Sequence, residues 1–315
     1  MGDIGRLWPW FAFGALVLAL LTLDLVVLHR KIRTPSLAES LGWTLFWVAL
    51  AGLFNLFVWR GRGGEAGLAF LTGYVVEWSL SMDNVFMFAV IFRFFQVPLR
   101  FQYRVLFWGI LGAIAVRLAL VLIGSGLLHR FQWFNVVFGA FLVYTAVRLL
   151  GHDAARIDPE RNRLLRIARR FLPLSRQSHD ERFFAREDGR CCVTPLFLVL
   201  LAIESTDVLF AVDSVPAIFG ITRDTFVVFT SNIFAILGLR ALYFLLAGML
   251  DLFRYLNYGI SAVLTFIGGK MIAEYWLARR PHPVRMSDGV SLAVICGLVA
   301  ISILASLFAS RREEV

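Results

Sequence analysis

Cysteine is scarce: three in 315 residues, with Cys191 and Cys192 adjacent and Cys296 far along the chain. Neighbouring thiols do not easily bridge each other, and metal-binding pairs usually keep two or more residues between ligands, so neither a disulfide framework nor a zinc site is expected. The chain also lacks a Gly-x-x-x-x-Gly-Lys-Ser/Thr run, which removes the usual cradle for ATP phosphates. It lacks a His-Glu-x-x-His pair as well, and no buried histidine is expected that could activate water. The first apolar stretch has no basic segment before it and no small-residue cleavage site after it, so it is expected to be a retained helix rather than a removed signal.

What the chain has in abundance is apolar residues. They make up 59% of the sequence, with 30 Phe, and the mean hydropathy is +0.75; soluble domains run nearer ~45–50% apolar. Crossing a bilayer takes about 20 mainly apolar residues, and runs of that kind fall at 8–29, 43–59, 67–92, 103–126, 131–150, 193–219, 226–249, 255–277 and 288–309. The expected fold is therefore all-α, a polytopic membrane protein of about nine transmembrane helices. The net charge of +9 would suggest nucleic acid for a soluble protein. Here Lys and Arg lie mostly between the apolar runs, so they report topology and no nucleic-acid partner is expected. With the N-terminus outside, nineteen basic residues fall in cytoplasmic loops and eight outside, which favours N-out and C-in.

Two of the apolar runs carry acids. Glu77, five residues, then Asp83-Asn84-Val85 is matched by Asp207, five residues, then Asp213-Ser214-Val215, and each is followed by Ile-Phe, at 91–92 and 218–219. Glu204 adds a third carboxylate to the second segment, on the face of Asp207. A charged acid at membrane depth costs ~2.5–3.5 kcal/mol on the translocon scale, so such a group marks a site by default. The repeated segments are an odd number of crossings apart and run through the membrane in opposite directions. That divides the chain into 1–66 (spans 1 and 2), 67–150 (spans 3–5), a loop at 151–192, 193–277 (spans 6–8) and 278–315, with spans 3–5 and 6–8 as an inverted-topology repeat.

The candidate metal ligands are Glu77, Asp83, Asn84, Glu204, Asp207, Asp213 and Ser214, an all-oxygen set. Neither acidic segment holds His or Cys, which argues against Zn²⁺ and Cu⁺ and for Mn²⁺, Mg²⁺ or Ca²⁺. Arg117 and Arg240, each mid-span, are expected to balance the carboxylates, because a buried guanidinium without an acid is costly. Residues six apart on a straight helix lie some 120° apart, so Glu77 and Asp83 could share one ion only if the helix unwinds or partner helices contribute. Pro216 is expected to kink or break its helix near Val212. Asp24, near the end of its span beside His29 and Arg30, is expected to be solvated or paired with arginine. Lys270 and Glu274, at i and i+4, are expected to satisfy one another.

The loop carries two further features. Residues 161–172 alternate arginine with Leu164, Ile167, Phe171 and Leu172, the pattern of a basic amphipathic helix on anionic lipid headgroups. Phe183–Arg190 reads as a short hairpin turning at Asp188-Gly189.

Four segments carry a family resemblance: Glu77-Trp-Ser-Leu-Ser-Met-Asp83-Asn84-Val85; Arg-Phe-Leu-Pro at 170–173; Phe-Phe-Ala-Arg-Glu-Asp-Gly at 183–189; and Glu204-Ser-Thr-Asp207-Val-Leu-Phe-Ala-Val-Asp213-Ser-Val-Pro216-Ala. Together they resemble the TerC family, nearest its Alx-type branch, within the wider LysE-like superfamily. The resemblance implies a multi-pass protein of the bacterial inner membrane that exports Mn²⁺ by secondary transport, in a family named for tellurium resistance. It implies acidic site residues at Glu77, Asp83, Glu204, Asp207 and Asp213, no prosthetic group, and Mn²⁺ and protons as the species handled. A membrane assembly or metal-loading factor is the alternative, and an intramembrane hydrolase a more distant one; no catalytic residue is expected.

Overall fold

The computed structural model describes residues 4–28, 36–151, 173, 175, 182–187, 190–246, 255–278 and 286–313. Nine helices occur among them: α1 (Ile4–Leu28), α2 (Leu37–Arg62), α3 (Gly64–Phe94), α4 (Leu99–Arg130), α5 (Phe134–Gly151), α6 (Pro195–Phe219), α7 (Thr225–Leu246), α8 (Leu256–Leu277) and α9 (Asp288–Glu313). They answer one for one to the nine apolar runs. Seven are long and apolar enough to cross a membrane; the apolar stretches of α1 and α5, Trp8–Asp24 and Phe134–Leu150, are shorter. The helix expected over 161–172 and the loop residues Arg30, Lys31 and Arg33 lie outside the described residues.

Local chemistry sets several of the boundaries. Ser36 caps α2 by accepting from the Glu39 backbone N–H at 3.2 Å, the arrangement of a Ser-x-x-Glu start. Thr194 caps α6 by accepting from the Phe197 N–H, with Pro195 in the first turn where its missing N–H costs nothing. Between α2 and α3 the chain reverses on Gly63, whose φ of +93° excludes side chains. The hairpin also forms: β1 (Phe184–Glu187) pairs antiparallel with β2 (Arg190–Val193), Glu187 opposite Arg190. It is tied down at its base, where Ser175 N–H donates to the Val193 carbonyl and Val193 N–H to the Pro173 carbonyl, each at 2.9 Å.

One expectation about helix continuity needs correction. Neither α3 nor α6 is broken at its carboxylates; each is one unbroken α-helix. Pro216 sits within three residues of the end of α6, so the backbone donor it removes belongs to the final turn, and its effect is to end the helix rather than to open it.

The helices pack around α7, whose apolar stretch is 89% buried, against 22% for α9. Their packing is symmetric under exchange of α3 with α6, α4 with α7 and α5 with α8. Thus α3 packs on α7 as α6 packs on α4, α3 touches α8 as α6 touches α5, and each helix also meets its own counterpart. Those counterparts meet antiparallel. Gly139 of α5 faces Gly268 of α8, and seven residues on along one helix and seven back along the other, the Ala146 carbonyl accepts from Ser261 Oγ at 3.0 Å. Helices α1 and α2 lie on α7, and α9 on α8 and α3.

The α5–α8 crossing is closed to any larger residue, since a Cβ built at Gly268 would stand 2.6 Å from the Gly139 carbonyl oxygen and backbone cannot swing away. Gly268→Val should cost about 3 kcal/mol, the upper end of ordinary overpacking. Size-exclusion chromatography of detergent-extracted protein checks this, and a monodisperse wild-type-like peak would contradict it.

Candidate functional site

Glu77 of the first acidic segment and Asp207 of the second are both buried where α3, α4, α6 and α7 meet. Glu77 of α3 is fully buried, 0% exposed, and its carboxylate is ion-paired with Arg117 of α4. The same guanidinium nitrogen donates to Ser214 Oγ of α6 at 3.1 Å and to Asn232 Oδ1 of α7. Arg117 therefore ties together four helices from both triplets. Asp207 of α6, buried as well, lies near enough for the charges of Arg117 and Glu77 to act on it, and Glu204 stands one turn back on its face. The Glu204 carboxylate occupies the space beside Gly112 of α4, where a Cβ would overlap it.

The register of α3 against α6 follows from two contacts. Gly73 faces Ile218, and four residues on and four back, Glu77 and Ser214 share Arg117. On an antiparallel pair that register brings Asn84 to the level of Asp207. Asn84 Oδ1 and Ser81 Oγ are buried without a hydrogen-bond partner among the described residues; with Glu77 they form a polar stripe at i, i+4 and i+7 along one face of α3.

The other predicted site residues are elsewhere. Asp213, half-buried, accepts from Thr145 Oγ1 of α5 at 3.1 Å, with Arg148 of the same helix nearby. Asp83, half-buried, points away from Glu77, as the angle between residues six apart requires. Among the described residues no three of His, Cys, Asp and Glu stand close enough together to hold one ion, so the seven predicted ligands do not converge on a point in this conformation. Arg117 is ion-paired with Glu77. Arg240 differs: its ion partner is Asp24 of α1, buried at 6% exposure, and its guanidinium lies over the Tyr103 ring. Asp24 thus has an arginine partner, from α7 rather than from its own loop. Lys270 donates to Ser291 Oγ at 3.0 Å and holds Glu274 only at 3.9 Å.

The family follows from the sequence as a whole. The model of the integral membrane protein TerC family matches residues 62–314. The chain belongs to the TerC family. Among curated TerC-family relatives, an "Uncharacterized membrane protein STKORF319" of Myxococcus xanthus is 48% identical over 98% of this chain and 95% of its own length. The "Putative membrane-bound redox modulator Alx" of Escherichia coli K12 is 39% identical over 100% of this chain and 98% of its own, and a membrane protein of Rickettsia bellii is 36% identical over 95% and 96%. No solved structure matches. This TerC-family chain is a multi-pass integral membrane protein of the bacterial inner membrane.

Two residues of the candidate site lie outside the predicted ligand set. Asn232, the α7 partner of Arg117, was visible as a lone amide inside an apolar run, the kind of group that needs a buried partner. Gly112 carried no signal at all, because its importance is the space it leaves to Glu204 of another helix.

Proposed function

We propose that the chain is a secondary transporter that moves a divalent cation, Mn²⁺ foremost, out of the cytoplasm in exchange for protons. The observation that carries this reading is the burial of Glu77 and Asp207, one from each acidic segment, within reach of the charge of a single buried arginine between α3, α4, α6 and α7. Buried acids inside a membrane bundle mark ion pathways, and oxygens alone suit a hard cation. The symmetric packing of the two triplets supports alternating access, in which one half rocks against the other around the site. Because the ligands are spread out in this conformation, the reading takes it as the state open to an incoming ion. It gives no residue a catalytic role and needs no prosthetic group. Anionic lipid headgroups are the proposed partner of 161–172. A thiol-based redox role, suggested by the name its relatives carry, is less favoured: Cys192 is buried in the hairpin and Cys296 is exposed on α9.

Flux of Mn²⁺ into proteoliposomes, driven by a pH gradient of each sign, tests the proposal. Flux that reverses with the gradient is expected, and none under either sign overturns it. Because Mn²⁺ and protons compete for the same oxygens, apparent Mn²⁺ affinity should fall as pH drops from about 8 to about 6. A binding isotherm unchanged over that range would leave a potential-driven path.

Gly112→Ala probes the room given to Glu204. The carboxylate must move aside, yet it is the end of a flexible chain, so abundance should stay near wild type while apparent Mn²⁺ affinity falls severalfold. Unchanged affinity would remove Glu204 from the site.

A further inference from the structure

Arg117 and Arg240 occupy equivalent places in the two triplets. Each stands seven residues after an isoleucine, Ile110 on α4 and Ile233 on α7, and α4 and α7 exchange under the packing symmetry. Aligned this way, Asn232, which binds Arg117, corresponds to Gly109, and Gly109 lines a small cavity together with Arg240 and Asp207. The acidic segments correspond as well: Glu77 with Asp207, and Asn84 with Ser214. In the first triplet the constellation is closed, with Arg117 on Glu77 and Ser214. Its counterpart would set Arg240 on Asp207 and Asn84.

In the structure that counterpart is open. Arg240 is drawn off to Asp24 of α1, a helix outside both triplets. The groups left over are the ones the closed version would join: Arg240 Nη1 and Asn84 Oδ1 are both buried without a hydrogen-bond partner among the described residues, and Asp207 shares the cavity with Arg240. A second cavity on the other side of Arg240, lined by Asp24, Ser40 and Tyr103, gives the guanidinium space in both directions.

We propose that Arg240 is a positioning residue that exchanges between Asp24 and Asp207, and that its transfer to Asp207 and Asn84 creates the second state of the transport cycle. Two halves of one architecture can trade conformations, so the closed and open constellations swap places as the molecule rocks. In the state described here Asp24 holds Arg240 back and leaves Asp207 available to a cation; in the other, Arg240 displaces the cation from Asp207. This rests on the transport reading, but the ion-pair exchange itself can be measured without any metal.

The measurement is a cycle of melting temperatures in detergent for wild type, Asp24→Asn, Asp207→Asn and the double variant. If Arg240 can change partners, each single variant leaves it a carboxylate and should lower the melting temperature by less than about 3 °C, whereas the double variant strands a buried guanidinium and should lose roughly 10 °C. Failure of the double variant alone to accumulate counts as the same result. Additive effects overturn the proposal, as does failure of Asp24→Asn alone, because both mean that Arg240 cannot reach Asp207. Added Mn²⁺ separates the two levels of the argument: it should raise the melting temperature of wild type and raise that of Asp24→Asn less. Coupling without any Mn²⁺ effect keeps the exchange and discards the metal reading, and an Mn²⁺ effect without coupling does the reverse.

Discussion

Arg117→Ala should remove most folded protein from the membrane. The substitution leaves Glu77, 0% exposed, without its counter-charge, and it strips Ser214 and Asn232 of the donor they share. Breaking a buried pair from one side costs about 3–5 kcal/mol because the remaining charge has nowhere to go. Removing both charges avoids that cost, so the double variant Glu77→Gln, Arg117→Met should recover abundance. It should not recover transport, since one acid of the site is gone. Fluorescence-detected size-exclusion of the two variants, followed by flux, separates the outcomes. Normal abundance of Arg117→Ala would mean that the pair contributes little to holding α3, α4, α6 and α7 together.

The second large effect is expected at Asp207. Asp207→Asn keeps the shape of the side chain and takes away the charge that the proposed cation needs, so the protein should accumulate at near wild-type levels while Mn²⁺ flux falls at least 100-fold, roughly the loss of 3 kcal/mol of ion binding. Asp213→Asn offers a contrast. Asp213 is held by Thr145 on α5, away from the Arg117 cluster, and its loss should lower flux far less. Equal losses at the two positions would show that the ion path runs through α5 rather than between α3 and α6.

The position of Asp213 also shows where reading the chain stops. The repeat of acid, five residues, acid makes Asp83 and Asp213 look like the equals of Glu77 and Asp207. In three dimensions the helix turns through some 120° between the two acids of each pair, so the first of each pair enters the α3–α4–α6–α7 junction and the second does not. The sequence carries that angle. What it does not carry is which neighbouring helix waits on each side.

What the chain by itself determined is everything set along one dimension. The nine helices follow from the length and apolarity of their runs, their starts from Ser36, Thr194 and Gly63, and the hairpin from the residues at 183–190. Membrane insertion and capping act within a few turns, so local composition suffices. The tertiary structure decided the pairing of charges. Arg117 and Arg240 have the same setting in sequence, yet one meets Glu77 and the other Asp24, because a buried charge takes the acid that packing brings within reach. α1, outside the repeated triplets, supplies one of those acids. That choice is a property of helices in contact, whose paired charges stand 40 residues apart for Glu77 and Arg117 and 216 apart for Asp24 and Arg240, and no local pattern encodes it.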